Sequence, residues 1–404
     1  MAMDQDPESV NRRIARLRKR ASLTQQELAD RTQLHGGYGY SRSHLAQVER
    51  GHKLATPAFV SSVAAALGIQ VADLYGQPYR DTLTDDGVTT VVGALREALA
   101  YVDVPPEITA PRPLEELEAE LGTVHTLLQQ TRHTRLGALL PALVEETTVH
   151  ALEAGSERAW RALHRAQVAT IRLTRKLGFE DLAELAAERA RFSATAAQDP
   201  HLAVMVTQRR TLVMMARAQW RPALAALAHA ARRVDQDRAD SSEILGSIYL
   251  RSAVLAARAG DGPAAEGYLA QAEEMDERAE RLQHPRDAHA TTFTRGNVAV
   301  HRAAVAVEVR DYDAALRRDA RVVGDVAATL IPERHAHHHI DMARALVEIG
   351  KPRVALERLE RAETIAPQLT MYHPQARLVT QHLVDAQRSL PAPLRRMASR
   401  MHVL

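Results

Sequence analysis

The sequence predicts an all-α fold, and three observations carry that prediction. Alanine, arginine, leucine and glutamate, all good helix formers, dominate its 404 residues. Apolar residues recur at helical spacing, and the period-two alternation of a half-buried strand is scarce. Small residues also repeat at long, regular intervals through the second half of the chain. With 46% hydrophobic residues the chain can build a sizeable core, as two or three domains or as one small domain on a long repeat array. The absence of cysteine excludes a disulfide framework, a Cys zinc site and a thiol nucleophile, and fits a reducing cytoplasm. Residues 1–10 are polar and acidic, unlike a secretory signal, and charged residues interrupt every apolar run before it reaches the ~18–20 residues of a membrane span. A cytoplasmic location is therefore expected.

The first eighty residues divide into five helices, each with a reason to start or stop. Asn11 to Arg20 is amphipathic, with Ile14 and Leu17 on one side. Thr24 and Glu27 form a capping box that opens a short second helix from Gln25 to Arg31, with Leu28 inward. Ser41 caps a third, which buries Leu45 and Val48 and ends at Gly51. Thr56 and Pro57 are the N-cap and first residue of a fourth, which Gly68 stops. Val71 to Tyr75 makes a last short turn.

Charge is concentrated in the same region. Residues 10–53 carry ten basic and three acidic side chains, a net +7 in a chain whose total is +2. Such a patch is the electrostatic footprint of a nucleic-acid binder.

The segments "LTQQELAD", "SRSHLAQVERG" and "TPAFVSSVAAALGIQVADLY" resemble the phage-repressor or Xre-type helix-turn-helix domain over about residues 9–76. That resemblance implies that the second helix crosses the DNA backbone and the third lies in the major groove. It places Gln25 on a phosphate and Ser41 near the backbone, with Arg42, Ser43 and Gln47 facing base edges. Arg42 suits guanine and Gln47 adenine. Lys53 and the arginines of the first helix would supply sequence-independent phosphate contacts. One departure is the turn between the two helices. It is expected to run from Thr32 to Tyr40, far beyond the usual ~3–4 residues. It places His35, Tyr38 and Tyr40 as candidates for backbone contact, or else forms an insertion without a role.

Residues 77–113 read as a linker with one helix, ending in a break that holds Pro105, Pro106, Pro111 and Pro113. Beyond it, residues 114–404 are expected to form one helical domain, to which the resemblance given below assigns sensing and dimerisation. Alanines recur at 183, 223, 265, 315 and 355, at intervals of 40, 42, 50 and 40 residues. Five residues before them stand Gly178, Ala218, Gly260, Arg310 and Gly350, at the expected turn between paired helices. Four residues after most of them an apolar residue follows, although Asp319 departs from this rule. The offsets resemble degenerate tetratricopeptide repeats, which implies an α-solenoid whose first helices line a concave face.

At equal repeat positions those first helices present Arg209, Arg251, Asn297, His301, His337, Asp341 and Arg344. The row is suited to an extended peptide or an anionic small molecule, or is simply a solvated surface. His335, His337, His338 and His339 include pairs at chelating spacing. No third ligand and no HExxH accompany them, so they read as polar residues on a solvated face, and neither metal nor cofactor is expected.

The whole arrangement resembles a family of actinobacterial regulators with an Xre-type domain fused to a tetratricopeptide-like region. "RGNVAVHRAAVAVEVRDYDAAL" and "TIAPQLTMYHPQAR" are similar to that family's C-terminal stretches. Lysine only at positions 19, 53, 176 and 351 fits GC-rich coding of that kind. The layout is also similar to that of Gram-positive peptide-pheromone receptors. These resemblances imply a ligand-responsive transcriptional regulator acting as a homodimer on DNA with two half-sites. The alternative is an adaptor whose solenoid docks a protein partner. An enzyme is not expected, since no phosphate loop, serine elbow or paired-carboxylate motif occurs.

Overall fold

A computed structural model describes residues 8–34, 39–77, 88–108, 110–285 and 289–403. Among them the fold is wholly helical, with an N-terminal helix-turn-helix domain followed by a helical C-terminal region.

The N-terminal domain contains α1 (Val10–Arg20), α2 (Gln25–Leu34), α3 (Arg42–Glu49), α4 (Pro57–Leu67) and α5 (Val71–Tyr75). The expected caps are present. The Thr24 N–H donates to the Glu27 carboxylate at 2.7 Å and the Glu27 N–H to Thr24 Oγ1 at 3.2 Å. Ser41 accepts from the His44 N–H and Thr56 from the Phe59 N–H, while Gly68 closes α4 in the left-handed region. Ile14, Leu28, Leu45, Val48, Phe59 and Leu74 form the core. Because α2 extends to Leu34, the expected insertion is shorter than its sequence suggests. His35, Gly36, Gly37 and Tyr38 lie outside the described residues.

In the C-terminal region α6 (Val88–Ala98), α7 (Leu114–Gln129) and α8 (His133–Ala154) come first. Much of the expected linker, residues 78–87, lies outside the described residues. Its one helix corrects that expectation: α6 packs on α8, with Leu95 and Leu99 buried in the same cluster as Leu136 and Leu140. A helix with that much apolar surface is stable only when docked.

Five helix pairs follow. They are α9 (Glu157–Lys176) with α10 (Glu180–Ala196), α11 (Pro200–Ala216) with α12 (Trp220–Ala231), and α13 (Ser241–Arg258) with α14 (Gly262–Leu282). The last two are α15 (Arg295–Glu308) with α16 (Tyr312–Asp319), and α18 (Pro332–Glu348) with α19 (Pro352–Ile365). The short α17 (Gly324–Ala328) intervenes, and α20 (Pro367–Tyr372), α21 (Pro374–Asp385) and α22 (Ala392–Arg400) end the array.

The five marker alanines are each 0% exposed and sit on the second helix of a pair. The five residues preceding them, Gly178, Ala218, Gly260, Arg310 and Gly350, all have φ between +53° and +88°. A left-handed residue there reverses the chain, and the small residue in the next turn lets the helices approach. Asp319, where an apolar residue was expected, accepts from His338 Nε2 at 2.8 Å and from Arg358, so the position is satisfied by pairing. First helices contact one another down the array: α11 on α13, α13 on α15, α15 on α18, and α18 on α21.

The two regions are packed together. Buried side chains of the helix-turn-helix domain and of α18 to α22 belong to one apolar cluster, and Gln375 Nε2 donates to Tyr75 Oη at 2.8 Å. No helix among the described residues is long and apolar enough to cross a membrane.

Candidate nucleic-acid interface and central cavity

The start of α3 is presented to solvent. Ser41, Arg42 and Ser43 are exposed, Gln47 is half-buried one turn further on, and Lys53 is exposed beyond the helix. Among the described residues Arg42 has no hydrogen bond or ion pair, and its fork is open to an external acceptor. Behind this face lies a rigid support. Arg18 donates to Glu49 through Nε at 2.6 Å and Nη2 at 2.9 Å, and through Nη1 to the Leu23 carbonyl. Gln25 Nε2 donates to the same Glu49 carboxylate at 2.7 Å. One buried carboxylate thus ties together the ends of α1, α2 and α3.

This geometry divides the first-helix arginines that were expected at phosphates. Arg18 is buried, Arg13 donates to the Leu74 and Glu8 carbonyls, and Arg16 pairs with Glu8. Arg13 and Arg18 thus spend their donors within the domain, while Arg16 stays on the surface. Among the described residues, the α1 arginines left to face solvent unpaired are Arg12 and Arg20, and Lys19, Arg31, Arg50 and Lys53 add further exposed positive charge.

Tyr40 is also corrected. It is 3% exposed, packs edge-on to Phe59 at 4.8 Å, and has the Arg310 guanidinium 5.8 Å from its ring centre. Its ring belongs to the core and not to a DNA-facing loop. His44 joins the same aromatic group, and burial holds its imidazole down at about 4.

The second site is a cavity of about 370 Å³ between the first helices of the array. Of the seven residues expected on the concave face, Arg209, Arg251, His301, His337, Asp341 and Arg344 line it. Asn297 does not. It is 2% exposed and turns its amide toward Thr292 Oγ1 at 3.5 Å, back to the loop before α15.

The expected open groove is partly walled in, by two elements. The loop before α15 crosses the concave side. Phe293 sits so close to Gly246 that a Cβ there would lie 2.1 Å from its ring, Arg209 donates to the His289 carbonyl at 2.6 Å, and Thr291 donates to buried Glu243 at 2.6 Å. The other wall is the helix-turn-helix domain itself, through Pro57, Ser61, Val71 and Tyr75.

The loop is anchored by a clasp that sequence reasoning missed. The Asp235 N–H donates to His201 Nε2, so Nδ1 carries the proton and donates to Asp240 at 2.9 Å. His289 Nε2 donates to the other Asp240 oxygen at 2.7 Å, and Arg238 to both. These three side chains lie close enough to hold a cation, but both His201 nitrogens and the carboxylate are already engaged.

The histidine tract on α18 is also corrected, because most of it is not solvated. His338 and His339 are buried, and His337 faces the cavity against the His373 ring at 4.8 Å. Burial pushes His301, His339 and His373 down to about 3. Burial thus keeps these imidazoles neutral near pH 7.

Comparison with known proteins supports the reading of the N-terminal region. Residues 12–74 match a family described as a helix-turn-helix domain. Over 69 residues the chain is 39% identical to the immunity repressor protein of Bacillus phage phi105, a match covering 17% of this chain and 44% of that protein. The chain therefore spans less than half the length of the curated relative it matches. No solved structure matches the chain.

Proposed function

We propose that this protein is a sequence-specific, DNA-binding transcriptional regulator whose helical region binds an effector and adjusts operator binding. The observation that carries the DNA-binding part is the exposed, unpaired Arg42 at the start of α3, held from behind by the Arg18–Glu49–Gln25 clamp. The repressor relative supports the same reading. Arg42, Ser43 and Gln47 face base edges, Gln25 and Ser41 lie at the backbone, and Lys53 adds a phosphate contact. Repressor-type heads work in pairs on half-sites about one helical turn apart, so the working form is a homodimer.

The effector part rests on the shared wall. A ligand filling the cavity touches α4 and α5 of the DNA-reading head as well as the array. Any difference in affinity between docked and undocked heads then becomes a difference in operator affinity, and the coupling is reciprocal. The degenerate tetratricopeptide-like pairing supplies the concave surface.

The test is Arg42→Ala. It removes a bidentate base contact of about 1–3 kcal/mol in discrimination. The preference for operator over random DNA should collapse in a binding assay while the circular dichroism spectrum stays unchanged. An undiminished preference would remove Arg42 from the interface.

A further inference from the structure

The charges of the cavity do not cancel. Its lining holds eight Arg and Lys side chains and four carboxylates. Three of those carboxylates are consumed locally. Glu333 binds Arg172 and Lys176, each at 2.8 Å. Glu308 binds Arg258 at 3.2 Å and Arg344 at 3.3 Å, and Asp341 binds Arg344 at 2.9 Å. Among the described residues no carboxylate lies within ion-pair distance of Arg175, Arg251 or Arg334, although Glu333 acts on Arg175 and Arg334 from further off, as does Glu180 on Arg175, and Arg334 reaches only Thr292 Oγ1 at 3.1 Å. Arg251 Nε has no hydrogen-bond partner at all. These three guanidiniums come from α9, α13 and α18, so the array converges them from residues far apart in the chain.

Gathering several like charges in a largely desolvated cavity is costly, and fold stability does not require it, because apolar residues of similar volume pack at least as well. Burial first, and then the neighbouring Arg334 and Arg175 charges, push Arg251 well below its ordinary range. An anion with two or more charges would offset that cost, and planar guanidinium forks match phosphate and carboxylate oxygens bidentately. The volume is that of a small-molecule pocket, at the lower end of the ~300–1,000 Å³ range, and not of a protein-docking groove.

We propose that the cavity binds a small organic polyanion, bearing phosphate or clustered carboxylate groups, on Arg175, Arg251 and Arg334. This deepens the effector reading above and rests on it. It names the chemistry of the effector and excludes an apolar or cationic one.

The test uses the full chain without DNA. Inorganic pyrophosphate and citrate are titrated by calorimetry at fixed ionic strength, with acetate as the monovalent control. Wild type and Arg353→Gln, a change at an exposed surface arginine, should bind at least one of the two polyanions saturably and acetate not measurably. Arg251→Gln and Arg334→Gln should each bind at least about tenfold more weakly, the loss of one charge-assisted contact. Without anion, both variants should melt no lower than wild type, because each removes an uncompensated charge. A purely structural role predicts a lower melting temperature instead. Absence of polyanion binding, or binding unchanged in both variants, overturns the proposal. The regulator reading fails separately, if polyanion binds but leaves operator affinity unchanged.

Discussion

At the scale of single residues, Glu49 is the pivot of the DNA-reading head. Its side chain is 6% exposed and that of Arg18 10%, with Gln25 as third partner. Removing one side of such a pair leaves a buried charge behind. Arg18→Met should therefore destabilise the head by about 3 kcal/mol, measured as loss of amide-exchange protection confined to residues 8–77. The double change Arg18→Met with Glu49→Leu should recover most of it. A single variant as protected as wild type would show the clamp to be dispensable. Sequence alone put Arg18 among phosphate contacts because a basic run gives no sign of which arginine turns inward. Glu49, one of only three acidic residues in the +7 segment, was the available signal. The exposure of Arg42 was legible for the opposite reason, since it directly follows a capping serine at the start of a helix.

At the scale of elements, the helix pairs were legible in some detail. The marker alanines and the residues five before them share one local geometry, which residue size announces at every turn except that of Arg310. Gly350 isolates the backbone effect, with φ +72° and nothing within 4 Å of an added Cβ. Gly350→Ala should cost about 1 kcal/mol from the left-handed conformation alone, read as a lower denaturation midpoint at unchanged slope. An unchanged midpoint would mean that this turn relaxes without penalty. Gly178 has the same kind of turn but lies against Gln77, so alanine there should cost more. The partial walling of the concave face was not legible. Its one trace was the 50-residue interval between Ala265 and Ala315, which holds the loop that crosses the groove. Nothing in a local pattern announces that His201, Asp240 and His289 will meet, because their contact depends on how successive pairs stack.

At the scale of the whole molecule, a near-neutral total charge hides a strongly basic head and a cavity with its own excess of arginine. The burial of uncharged imidazoles sets the response to acid. His44 and His164 are held near 4, and His133, His301 and His373 near 3, in each case chiefly by burial. In the unfolded chain these rings take up a proton near the ordinary value of about 6.5. The unfolded state therefore binds more protons below that pH, and stability present above it is lost as pH falls toward 4 and 3. Urea midpoints should hold steady from pH 8 to 7 and fall steeply between 6 and 4. A flat profile across that window would contradict the enclosed, neutral histidines.

The central claim is that a repressor-like head reads DNA on behalf of a helical sensor. Selection from a random duplex library by the full-length chain tests it most directly. The account predicts enrichment of one sequence built of two half-sites related by a two-fold axis, about one helical turn apart or a multiple of it. Recovered duplexes as diverse as the starting library would contradict it.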